Sequence, residues 1–253
     1  MADKRKYRRA PLSFDQETAP LVQDYLSKNP NALMNDFNIV GLIAQHRLSK
    51  VTENDIEIYE NPAAGVGGRT IEWNKSQLMA GATLTRPLVL INGLMSIDYV
   101  YARSQSLDVL CVGPRLEAEL FYFHAFGFDL NRVRGLDLMS YSDFIDVGDM
   151  HAMPYEDNSF DIVMLGWVLG YSSDPRTVAS EAMRVCRPGG YIAVSCTRPV
   201  TEEDGAGETY YYKVDDILQH FDQDQIYNVH LRHEPCRKVP DSPSYVMTIF
   251  ELK

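Results

Sequence analysis

The residues best placed for chemistry in this chain are Gly113, Asp137 and Asp149, each standing where a short apolar run stops. A glycine after Val109–Val112 permits a tight turn, and the helix expected beyond it offers unpaired N–H groups to an anion. Asp137 follows Val133–Leu136 and Asp149 follows Ile145–Gly148, and an ionised carboxylate is purely a hydrogen-bond acceptor. Three such groups suit the binding of a small molecule. Metal chemistry is not expected, because Cys111, Cys186, Cys196 and Cys236 form no C-x-x-C pair and no metal-ligand spacing. Reduced thiols without a disulfide framework are expected instead. A nicotinamide dehydrogenase is disfavoured, since Gly113-Pro-Arg-Leu-Glu117 does not supply G-x-G-x-x-G.

These residues act together only if the fold brings strand ends to one edge. From about residue 104 the texture is that of alternating strands and helices. Val109–Val112 reads as a buried strand. A helix from about Leu116 carries Leu120, Phe123 and Phe126 on one face and stops at Gly127. Val133–Leu136 and Ile145–Val147 read as two further strands, and the span between Asp137 and Asp149 is too short for a full crossover helix. Phe160–Leu165 is a fourth strand. Asp174-Pro175 caps a helix striped by Val178, Ala182 and Val185 and ended by Pro188-Gly189-Gly190. Tyr191–Val194 is a fifth strand, Val214–Phe221 a helix, and Gln225–Leu231 with Tyr245–Leu252 two closing strands. The expected fold class is α/β: a Rossmann-like, mostly parallel sheet with helices on both faces and an antiparallel C-terminal hairpin. Its ligand belongs at the carboxyl ends of the strands.

Residues 1–103 read as a mainly helical N-terminal cap or lid on this 104–253 core. Thr18-Ala-Pro20 starts one helix, Leu33, Phe37, Val40 and Ile43 recur at helical spacing, and Ile56–Tyr59 alternates like a short strand. Asn61 to Gly68 reads as an exposed loop. Pro87 opens an apolar helix through Val89, Ile91, Leu94 and Tyr99 whose surplus of apolar positions must pack against the second half.

A formal net charge of −11 excludes general attraction to the phosphate field of nucleic acid. The basic arm Lys4, Arg5, Lys6, Arg8 and Arg9 is read as a solvated terminus. No apolar run reaches the roughly 18–20 residues of a membrane span. The expectation is a cytoplasmic protein with neither membrane nor nucleic-acid partners, of unassigned oligomeric state.

The run His151-Ala-Met-Pro-Tyr-Glu-Asp-Asn-Ser-Phe-Asp-Ile-Val-Met-Leu165, then Asp174-Pro175, then Arg184-Val-Cys-Arg-Pro-Gly-Gly190, resembles class I S-adenosylmethionine-dependent methyltransferases, nearest those acting on small molecules. The resemblance covers about the last three-fifths of the chain by element order. It implies S-adenosylmethionine as cofactor. Gly113 then stands at the turn beside the methionine part, Asp137 with Leu138 at the ribose, and Asp149 with Met150 at the adenine. Met139–Tyr141 would close over that ring, and His151 would lie at the cofactor's edge. Gly166 and Trp167 would lie between cofactor and acceptor.

The glycine-rich turn departs from the family pattern, with Cys111 where an acid is usual and Pro114, Arg115, Leu116 and Glu117 after Gly113. Arg115 pairing with the cofactor carboxylate and Glu117 holding its ammonium would compensate; the alternative is an ion pair at a helix start. Relatives often carry a histidine after the fourth strand, where this chain has Val168-Leu-Gly-Tyr171. No catalytic residue is therefore assigned, and Tyr171, Arg198 and Tyr211 are the candidates for acceptor contacts. The function implied is methyl transfer to an oxygen or nitrogen of a small organic molecule; the alternative is an inactive methyltransferase-like scaffold.

Overall fold

The computed structural model describes residues 16, 18–60, 62, 71, 72, 74–76, 78, 86–198, 209–234 and 244–253. The basic arm, Cys236 and nearly all of the 61–68 loop lie outside them.

Seven strands form one sheet: β2 (Val109–Val112), β3 (Val133–Asp137), β5 (Ile145–Val147), β6 (Phe160–Gly166), β7 (Cys186–Arg198), β8 (Ile226–His233) and β9 (Ser244–Leu252). Their order is β5-β3-β2-β6-β7-β9-β8. The pairs from β5 to β7 are parallel, and β9 is antiparallel to both β7 and β8. The chain leaves β2 toward β3 on one side and returns to β6 on the other. That reversal opens a crevice at the carboxyl ends of β2, β3 and β6.

Successive strand residues point to opposite faces, which divides the core in two. Val109 and Cys111 face the cluster that also holds Leu120 and Phe123 of α5 (Glu117–Ala125). Leu110 and Val112 face the other cluster, with Val178, Ala182 and Val185 of α6 (Pro175–Val185) and Ile217 of α7 (Val214–Leu218). The Asp174 carboxylate accepts from the Thr177 amide, which is the cap that Asp174-Pro175 predicts.

The segment before residue 104 contributes α1 (Ala19–Lys28), α2 (Phe37–Leu48), α3 (Pro87–Met95) and α4 (Asp98–Arg103). The apolar stretch after Pro87 is thus two helices, broken at Ser96–Ile97. Leu90, Ile91 and Leu94 are fully buried in the α5-side cluster beside Ala193 of β7 and Ile249 of β9. Contact there is close: a Cβ on Gly93 would fall 2.8 Å from the Ile249 side chain. A two-residue strand β1 (Glu57–Ile58) pairs with β4 (Met139–Ser140), and the Tyr59 amide donates to the Leu138 carbonyl. No crossover helix forms between Asp137 and Asp149; β4, turns and β5 fill that span. Among the described residues no helix is long and apolar enough to cross a membrane.

Candidate functional site

A cleft opens in this crevice, at the carboxyl ends of the parallel strands. Four strand-end segments line it: Val112, Gly113 and Arg115; Leu136–Leu138; Gly148–Met150; and Gly166–Val168 with Tyr171. Glu119 from α5 and Asn74 and Arg86 from the N-terminal part complete its walls.

Asp137 ends β3 inside this cleft, nearly buried, with its Oδ1 accepting from the Met139 amide at 3.2 Å. Burial pushes its carboxyl up to about 6, although the Met139 amide and the Arg115 charge both pull the other way. A carboxylate held in this way lacks solvation and gains most from hydroxyl or amine donors on a ligand.

Asp149 is equally buried and is held by its own loop. Its Oδ1 accepts from the His151 amide at 2.9 Å and lies 2.6 Å from His151 Nδ1. His151 Nε2 lies 2.7 Å from Ser172 Oγ, which also accepts from the Asp174 amide. A neutral ring satisfies both contacts, donating from Nδ1 to Asp149 and accepting from Ser172. His151 is therefore spent on orienting Asp149 and does not line the cleft. The same loop is pinned behind by Arg184, which donates to the Met153 and Tyr155 carbonyls and to Glu181 and Asp157.

At the turn after β2, Gly113 has a φ of +73°, and a Cβ there would fall 2.0 Å from Val168 Cγ1. Only glycine fits. Pro114 packs away from the ligand side: a Cβ on Gly135 would lie 2.7 Å from its Cγ. Trp167 is held at φ +59°, a costly conformation for a bulky residue and one that clusters at ligand sites. The Arg86 guanidinium sits 5.1 Å from the centre of its indole ring.

Arg115 lines the cleft as expected, but Glu117 does not. Its buried carboxylate accepts two hydrogen bonds from Arg47 of α2, at 2.6 and 2.8 Å, and a third from Ser142 Oγ at 2.6 Å. It is a tie between α2, α5 and the β4–β5 loop and does not line the cleft. The acid that lines the cleft is Glu119, two residues further along the helix. Sequence reasoning missed Glu119, Asn74, Arg86 and Val168. Only the helical phase of α5 carried a signal for Glu119.

Of the residues expected to contact a second molecule, Tyr171 lines the cleft. Tyr211 does not: it is buried in the α6-side core, with its hydroxyl 3.4 Å from His220 Nε2. Arg198 is also outside the lining and lies 6.0 Å from the centre of the Tyr212 ring. Arg198 is the last residue of β7, and Tyr211 comes after that strand in the chain. Cys111, Cys186 and Cys196 are buried and unbridged.

Residues 118–194 match the family described as "Methyltransferase domain". Among curated proteins, a demethylmenaquinone methyltransferase of Renibacterium salmoninarum is 42% identical over 53 residues, covering 21% of this chain and 22% of that protein. One from Symbiobacterium thermophilum is 36% identical over 77 residues, covering 29% of this chain and 30% of that protein. Each match thus spans under a third of the relative's length. Among solved structures, the N-methyltransferase NodS of Bradyrhizobium japonicum in complex with S-adenosyl-L-homocysteine gives a TM-score of 0.44 at 14% identity, covering 66% of this chain and 85% of that one.

Proposed function

We propose that this chain, whose residues 118–194 match the methyltransferase domain family, is a class I S-adenosylmethionine-dependent methyltransferase that transfers a methyl group from S-adenosylmethionine to an oxygen or nitrogen of a small organic acceptor. The observation that carries the reading is the convergence of Asp137, the last residue of β3, and Asp149, two residues past β5, on the cleft that Gly113 and Trp167 border. The donor set fits the cofactor. Asp137 would hold the ribose hydroxyls and Asp149 the adenine amine, with Leu138 and Met150 against the ring and the bare Gly113 backbone beside the methionine part.

When bound, the cofactor supplies an activated methyl carbon, which the acceptor's lone pair takes as the C–S electron pair returns to sulfur. The protein's share is alignment and exclusion of water. Gly166, Trp167 and Tyr171 stand on the wall where an acceptor would meet the donor. Asn74 and Arg86 face the same space, which makes the part before residue 104 the element that shapes the acceptor's pocket. The acidic balance of the chain suits an acceptor other than nucleic acid. An inactive scaffold is the less favoured reading, because the cleft keeps both strand-end acids.

The test is calorimetric titration with S-adenosylmethionine and S-adenosylhomocysteine, on the wild type and on Asp137→Ala and Asp149→Ala. Binding that both substitutions weaken supports the reading; a wild type that binds neither ligand contradicts it.

A further inference from the structure

The turn after β2 lacks the features that would satisfy the amino-acid end of the proposed cofactor. Cys111 stands where an acid is usual, and Pro114 and Arg115 stand where small residues would let the backbone approach. Two side chains in the cleft are nevertheless left unsatisfied. Glu119 is 5% exposed, and its Oε1 has no hydrogen-bond partner among the described residues. Arg115 Nε is buried and also unpartnered among them. Both residues line the same cleft.

A buried carboxylate oxygen without a donor is destabilising, and such groups in folded proteins call for an explanation. Burial pushes the Glu119 carboxyl up to about 7, against the pull of Arg86 and Arg115. No apolar or singly charged ligand would satisfy an acid and a guanidinium together. A zwitterion would, with its ammonium on the acid and its carboxylate on the guanidinium.

We propose that Glu119 receives the α-ammonium, and Arg115 the α-carboxylate, of the amino-acid end of S-adenosylmethionine; the assignment rests on the cofactor reading above. Glu119 in the first turn of α5 and the Arg115 side chain just before that helix thereby take over what the backbone of the altered turn does not provide. Glu117 cannot share the task, because Arg47 and Ser142 occupy both of its oxygens.

The experiment compares two ligands by calorimetry: S-adenosylhomocysteine, which has the amino-acid end, and 5′-methylthioadenosine, which lacks it. Glu119→Gln should weaken the first by roughly 10- to 100-fold, the range for a hydrogen bond between charged groups, and leave the second within about twofold. Arg115→Gln should behave alike and carries the same comparison if Glu119→Gln folds poorly. Equal weakening of both ligands would show that Glu119 only shapes the cleft and would overturn the assignment, as would an unchanged affinity for S-adenosylhomocysteine. A wild type that binds methylthioadenosine alone would also overturn it while leaving the adenosine site intact. Binding of neither ligand would overturn the cofactor reading first, and this assignment with it.

Discussion

The two ends of the cleft are built by different means. At the proposed adenosine end, Asp137 and Asp149 sit at the tips of neighbouring parallel strands, and the ladder between β3 and β5 sets their relative height. At the proposed methionine end, the acid comes from a helix, and what it meets depends on its phase. Successive helical residues are about 100° apart, so Glu117 and Glu119 look in nearly opposite directions. One faces α2 and pairs with Arg47; the other faces the cleft. A strand end therefore shows its place at the cleft in the sequence, whereas a helix start does so only once its neighbours are known.

The sharpest challenge to this contrast is removal of a strand-end acid. Asp137→Ala should cost roughly 100-fold or more in affinity for S-adenosylhomocysteine, from two charged hydrogen bonds lost at once. Calorimetry would report it, and a loss under about threefold would mean that the ribose lies elsewhere. Asp149→Asn keeps an acceptor but loses the His151-oriented carboxylate, so a smaller loss of about tenfold is expected in the same titration.

Stability separates the two helix acids. Gly113→Ala places a side chain at positive φ against Val168 and should lower stability by about 3 kcal/mol in urea denaturation. Arg47→Ala strips the ion pair from the buried Glu117 and should cost about 2 kcal/mol, less than a fully buried pair because Arg47 is half exposed and the Ser142 hydroxyl remains. The ratio of its affinities for S-adenosylhomocysteine and methylthioadenosine should not move. If that ratio falls as it does for Glu119→Gln, the division of labour between the two acids is wrong.

The smallest effect is in pH. Asp137 and Glu119 are raised on folding, from 3.8 and 4.5 to about 6 and about 7. Arg86, Arg115 and Asp137 are the charges that face Glu119, with Cys111, Tyr122 and Tyr141 beside it. The folded state thus holds more protons than the unfolded one between about pH 4 and 7. The stability these two groups contribute is present below pH 4 and lost as pH rises through 7. Thermal denaturation should show Glu119→Gln gaining on the wild type from pH 5 to about pH 8; a constant difference would mean that Glu119 titrates normally.

Much of the fold was legible because its signals are local. The runs Val109–Val112 and Phe160–Leu165 are strands, Asp174-Pro175 caps its helix, and the short span between Asp137 and Asp149 holds no helix. The strand-end acids and Gly113, Trp167 and Tyr171 line one cleft for the same reason. Tyr211 and Arg198 lie outside the lining of the cleft, because a position near a strand end does not reveal which face of the fold its side chain joins. Asn74 and Arg86 carried no signal at all, since the part before residue 104 reaches the cleft only through tertiary packing. His151, expected at the cofactor's edge, contacts Asp149 and Ser172 and is absent from the cleft lining.

The most direct test of the central claim is a crystal structure of the protein with S-adenosylhomocysteine. The account predicts the ribose hydroxyls on Asp137, the adenine between Asp149 and Met150, and the amino-acid end between Glu119 and Arg115. Ligand bound outside this cleft, or inside it with the adenine away from Asp149, would contradict it.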